Sequence, residues 1–156
     1  MNPYAPPEAT VNDLPPRPGS AFKAVALGLA TDIGGTLVAT AILALVYGIA
    51  LAAAGVKRED IIATMQASAT DSWFFYLTAI VGLGFSVFGG YVCARIARRS
   101  ELKLGAILAA LSALTGFFLG GDDPQQLGTF LSLTLLGIGA VVAGARLGQA
   151  KNRSGR

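Results

Sequence analysis

The sequence predicts an all-α integral membrane protein, a four-helix bundle of transmembrane segments with small-residue helix contacts. Three observations carry this reading. The 156-residue chain is 53% apolar and 13% charged, against a charged share of about 25% in a soluble domain. Its apolar residues fall into four runs, at about 33–54, 73–97, 103–119 and 127–148. Each has roughly the length that a hydrocarbon slab about 30 Å thick asks of a helix rising about 1.5 Å per residue. The runs are continuous rather than alternating, which disfavours a β-barrel. Lipid offers no partner to backbone N–H and C=O groups, and a helix satisfies its own.

In chain order, residues 1–19 hold six of the seven prolines and almost no large apolar side chain, so they predict a disordered cytoplasmic tail. The transmembrane domain follows over 20–149, with a basic cytoplasmic tail at 150–156. The stretch Ala21 to Thr31 is apolar, with Phe22, Val25 and Leu29 on one face. It either extends the first helix or lies on the membrane surface. Helix one runs from about Ile33 to Ala54. Lys57 to Ala67, with Ile61, Ile62 and Met65 at helical spacing, predicts a short amphipathic helix in the first connection.

Asp71 and Ser72 are N-cap candidates for helix two, and Trp73, Phe74, Phe75 and Tyr76 follow as an interfacial aromatic belt. Ser100 is positioned to cap helix three, with Glu101 in its first turn where the helix dipole favours a negative charge. Asp123, Pro124 and Gln126 supply an N-cap, a first-turn proline and a capping-box-like partner for helix four.

Cations set the expected orientation. Ten of the twelve Lys and Arg residues lie on the side of the two tails and the second connection, among them Arg95, Arg98, Arg99 and Arg146. Lys57 and Arg58 alone lie on the other. By the positive-inside rule both termini face the cytoplasm, and the basic rim is suited to anionic lipid.

Small residues recur every four positions on all four runs. Helix one carries Thr36, Thr40, Ala44, Gly48 and Ala52, and helix two Thr78, Gly82, Ser86, Gly90 and Ala94. Helix three has Gly105, Ala109 and Ala113, and helix four Ala140, Gly144 and Gly148. Such stripes let backbones approach where lipid provides no hydrophobic drive for association. Gly82, Gly84 and Gly89 also repeat the spacing of Gly137, Gly139 and Gly144, each set followed by Ala-Arg. That pattern leaves a duplication of two hairpins open, although helices one and three do not align.

The stretch GGYVCARIARRSELKLGAILAAL, beginning at Gly89, resembles the GGYxAARxA-type hairpin turn of small four-helix bacterial inner-membrane proteins of unknown function. Cys93 stands where alanine is common in that turn. The resemblance implies a fold type and an inner-membrane address.

The chemical inventory is sparse. There is no histidine, and Cys93 is the sole cysteine, which excludes an internal disulfide, a Cys/His zinc site and a histidine general base. Cys93 reads as a core residue. No cofactor, metal, catalytic group or nucleic-acid partner is expected. Asp32 is the ionisable residue at the edge of an apolar run, and the expected reading places it at the cytoplasmic interface, paired with Arg95 or Arg146. Two function classes follow. One is a non-enzymatic membrane protein acting through helix packing with itself or a membrane partner. The other is a small transporter or channel subunit with Asp32 as a coupling carboxylate, resembling four-helix multidrug exporters in size. The depth of Asp32 separates them.

Overall fold

The computed structural model describes residues 19–67, 73–119 and 127–154, and four of its helices are long and apolar enough to span a membrane. The first is composite, made of α1 (Ala21–Leu29), a π-helical turn (Ala30–Gly34) and α2 (Gly35–Ala53). Together they form one 33-residue span, so the stretch before Ile33 extends helix one instead of lying on a surface. The short α3 (Ile61–Ala67) precedes α4 (Trp73–Ala97), α5 (Glu101–Leu119) and α6 (Leu127–Ser154).

Helix α1 starts where Ser20 adopts an extended backbone and its hydroxyl accepts from the Lys23 N–H. The Gly19 N–H donates to the Ala97 carbonyl at 3.1 Å, which ties this start to the end of α4. The buried face of α1 and its π turn is Ala24, Gly28 and Asp32, residues four apart. It packs on α4, where Gly28 meets Gly89 and Cys93 and Asp32 meets Gly89. Phe22 and Leu27 face outward, Phe22 83% exposed, while Val25 and Leu29 are half-buried against the core. Lipid tails are as apolar as a protein interior, so burying a large side chain gains little, whereas small residues permit close backbone packing.

Helix α4 is the hub, with its most extensive contact against α6. A Cβ on Gly90 would run into the carbonyl of Val141, and one on Gly144 into that of Val87. The two helices therefore meet backbone to backbone. Cys93, Leu108 and Val141 are the largest fully buried side chains and lie with Ala24, Ala97 and Ala109 in one cluster. This packed core occupies the half of the bundle nearer Gly19 and Ser154.

The other half is looser. No residue of α2 is buried. It packs on α4 and α3, with no more than marginal contact to α5 or α6. Tyr47 stacks on Phe74 at 4.6 Å between ring centroids and meets Trp73 edge-on at 5.6 Å, which holds the far end of α2 against α4. The π turn accounts for the change of face, because one extra residue rotates all later side chains by about 100°.

Several boundaries differ from expectation. Helix α5 begins at Glu101, two residues early. Ser100 precedes it with φ 50° and Arg98 with φ 53°, so the turn is left-handed, and Ser100 offers its carbonyl to the Leu104 N–H. Helix α6 continues through Lys151 to Ser154, absorbing most of the expected basic tail. The expectations for residues 1–18, for the caps at Asp71 and Ser72, and for Asp122 to Gln126 lie outside the described residues.

Candidate functional site

Asp32 sits about 17 Å along the first helix from Ala21, at about 1.5 Å per residue, and is 4% exposed. Its Oδ1 accepts from the Ser86 hydroxyl of α4 at 2.7 Å, and its Oδ2 accepts from the Ser112 hydroxyl of α5 at 2.6 Å. These lengths suit hydroxyl-to-carboxylate bonds. The expected pairing with Arg95 or Arg146 is overturned: both arginines are exposed, and the Arg95 Nη1 donates to Asn152 Oδ1 at 3.2 Å. The error came from placing the membrane border at Ile33. Residues 21–31 carry the helix on past Asp32, and two serines on other helices satisfy the carboxylate that this buries.

Local backbone explains the placement. Asp32 lies within the π turn, where the Gly35 N–H reaches the carbonyls of both Asp32 and Thr31. The Thr31 hydroxyl bonds back to the Leu27 carbonyl at 2.8 Å, an arrangement that tends to bend helices. Opposite, a Cβ on Gly89 would lie 2.9 Å from Asp32 Cβ and 2.8 Å from the Gly28 carbonyl oxygen. Gly89 therefore allows the approach that brings Ser86, nearly one turn earlier, within reach. Gly35 leaves room for the Phe85 ring in the same way.

Asp32, Ser86 and Ser112 lie at one end of a cavity of about 390 Å³ between α2, α4, α5 and α6. Its walls are largely apolar, with Leu37, Leu83, Phe130 and Leu133 among them. Thr115 and Thr134 also line it, but their hydroxyls donate to Leu111 and Phe130 of their own helices. The cavity occupies the half of the bundle toward the α2–α3 and α5–α6 connections. The packed core closes the opposite half.

The remaining expected site residues divide. Ser86 and Gly82 belong to the cavity, Gly82 with Thr36 Cγ2 at 3.6 Å from where its Cβ would be. Gly90 and Gly144 join α4 to α6, and a Cβ on Gly105 would fall 2.7 Å from Ala145 Cβ. Gly48 faces Ile61 and Met65 of α3 at ordinary distance. Arg98 and Arg99 lie with Arg95 at the end of α4.

Sequence reasoning did not single out Ser112 or the role of Gly89. Nor did it find Asn152, whose Nδ2 donates to the Ala94 carbonyl at 2.9 Å and to Glu101 Oε1 at 3.3 Å. Among the described residues, no three His, Cys, Asp or Glu side chains gather as a metal site. No protein-family model matches the chain, and no curated protein or solved structure is significantly similar to it.

Proposed function

We propose that the protein is a small transporter or channel subunit of the bacterial inner membrane, multi-pass with both termini cytoplasmic, in which Asp32 is the coupling carboxylate. The observation that carries this reading is the buried Asp32 at the end of a cavity, held by serines from two other helices. A carboxylate at such depth costs at least about 2.5 kcal/mol, and intramembrane acids of this kind mark ion and solute pathways. The cavity on one side and the packed core on the other suit a site reached from one face at a time.

The ten-to-two cation distribution supports cytoplasmic termini and anionic lipid at the rim of Arg95, Arg98, Arg99 and Arg146. The GGYxAARxA-type resemblance supports the inner-membrane address. The other reading, a non-enzymatic packing protein acting on itself or a membrane partner, draws on the sparse chemical inventory and on the small-residue stripes. Gly90, Gly105 and Gly144 are engaged within the chain and call for no partner to explain them.

The test is flux through liposomes carrying the purified protein. Asp32→Asn should lower solute-linked or proton flux by about 10- to 100-fold, the equivalent of a hydrogen bond to a charged group worth about 1.5–3 kcal/mol. Flux equal to that of the wild type would overturn the reading.

A further inference from the structure

The cavity also limits what its carboxylate can receive. Resting on the reading of Asp32 as a coupling group, we infer that the solute is a small monovalent organic cation, an ammonium with an apolar body. The charge of the ammonium meets Asp32, and the body lies against Leu37, Leu83, Phe130 and Leu133.

Three observations support this. First, the cavity offers one carboxylate and no second acid among its lining residues, so it balances a single positive charge. Second, each carboxylate oxygen accepts one serine hydroxyl. An oxygen can accept a second bond, so an N–H donor or an ammonium charge finds acceptor capacity at both. Third, the remaining wall is poor in oxygen ligands. Calcium and magnesium ask for about six or more oxygens, whereas beyond Asp32 and its two serines the lining carries only the single hydroxyls of Thr36, Thr115 and Thr134, spread over three helices among aliphatic and aromatic side chains. Apolar walls, Phe130 among them, reward an apolar body.

Size completes the inference. The cavity has a volume of about 390 Å³. That suits a molecule of about ten non-hydrogen atoms, at the small end of ligand pockets of about 300–1,000 Å³.

The test uses the full chain in detergent, with calorimetric titration by benzyltrimethylammonium. Its uncharged carbon isostere, neopentylbenzene, and sodium and magnesium chlorides serve as comparison ligands. Saturable binding of the ammonium is expected, at least about tenfold tighter than the isostere and weakened at least about tenfold by Asp32→Asn. Gly82→Leu should weaken it similarly with the carboxylate intact, because the new side chain has room at the cavity wall and occupies ligand volume. Equal binding of ammonium and isostere would overturn the inference in favour of a groove for acyl chains. Saturable binding of sodium or magnesium, without the ammonium, would overturn the solute class while leaving Asp32 as a coupling group. If Asp32→Asn also left liposome flux unchanged, the coupling reading would fall with it.

Discussion

Gly89 faces Asp32 so closely that a Cβ on the glycine would lie 2.9 Å from the aspartate Cβ. This contact lets α1 and α4 meet, and it sets the Ser86 hydroxyl 2.7 Å from Oδ1. Gly89→Ala is therefore expected to force the helices apart, since the nearest obstacle is the Gly28 carbonyl, a backbone atom. The cost should be about 1–3 kcal/mol by analogy with overpacked soluble cores. Thermal unfolding in detergent measures it, and a melting temperature equal to wild type would contradict the contact.

A paired comparison tests the α4–α6 junction. Gly90→Leu inserts a side chain against the Val141 carbonyl, whereas a Cβ at Gly84 meets nothing within 4 Å. The first variant should lose about 1–3 kcal/mol or more, and Gly84→Leu should stay within about 0.5 kcal/mol of wild type. Equal stability of the two in the same detergent would rule out the close crossing.

Asn152→Ala removes the amide that bonds the Ala94 carbonyl and Glu101 and accepts from Arg95. Glu101 is buried at 9% exposure, so the variant leaves a buried carboxylate with one partner fewer. A loss of about 1–3 kcal/mol is expected, read as a lower melting temperature. An unchanged value would show that the end of α6 does not brace α4.

Orientation is separable from packing. Reporter fusions after residue 156 and at Asp122 should report opposite compartments, with the C-terminus cytoplasmic. Replacing Arg95, Arg98 and Arg99 together by Gln should weaken that preference, because Lys and Arg in short loops set topology. Identical readings from both fusion sites in the unmodified chain would contradict four spans.

The spans were legible because length and continuous hydropathy suffice to read a helix in lipid. What failed was the start of helix one, and the cause was Asp32 itself. A carboxylate beside a long apolar run reads as the edge of the membrane when its partners are unseen. Ser86 lies 54 residues away and Ser112 80, and a helix stripe gives no hint of which helices face each other. Ser86 was singled out as a packing residue, with its hydroxyl overlooked.

The inward face of α1 was hidden for a related reason. Soluble-protein habit looks for Phe22, Val25 and Leu29 inside, while the chain fully buries Ala24, Gly28 and Asp32, leaves Phe22 exposed and half-buries Val25 and Leu29 at the edge of the core. Asn152 was missed because a polar C-terminal stretch rich in Lys and Arg reads as tail. The turn of α6 that carries it is helical and packed on α4.

Thiol labelling tests most directly whether Asp32 closes a cavity that water reaches from one face of the membrane. Its background is favourable, since native Cys93 is fully buried and should resist a charged thiol reagent. Leu83→Cys places a thiol on the cavity wall and Leu108→Cys one in the packed core. With (2-trimethylammonioethyl) methanethiosulfonate added to sealed vesicles, the cysteine at position 83 should react from the face bearing the α2–α3 connection and not from the face bearing the termini. The cysteine at 108 should react from neither. Failure of position 83 to react from either face, or equal reaction from both, would contradict a cavity that ends at Asp32.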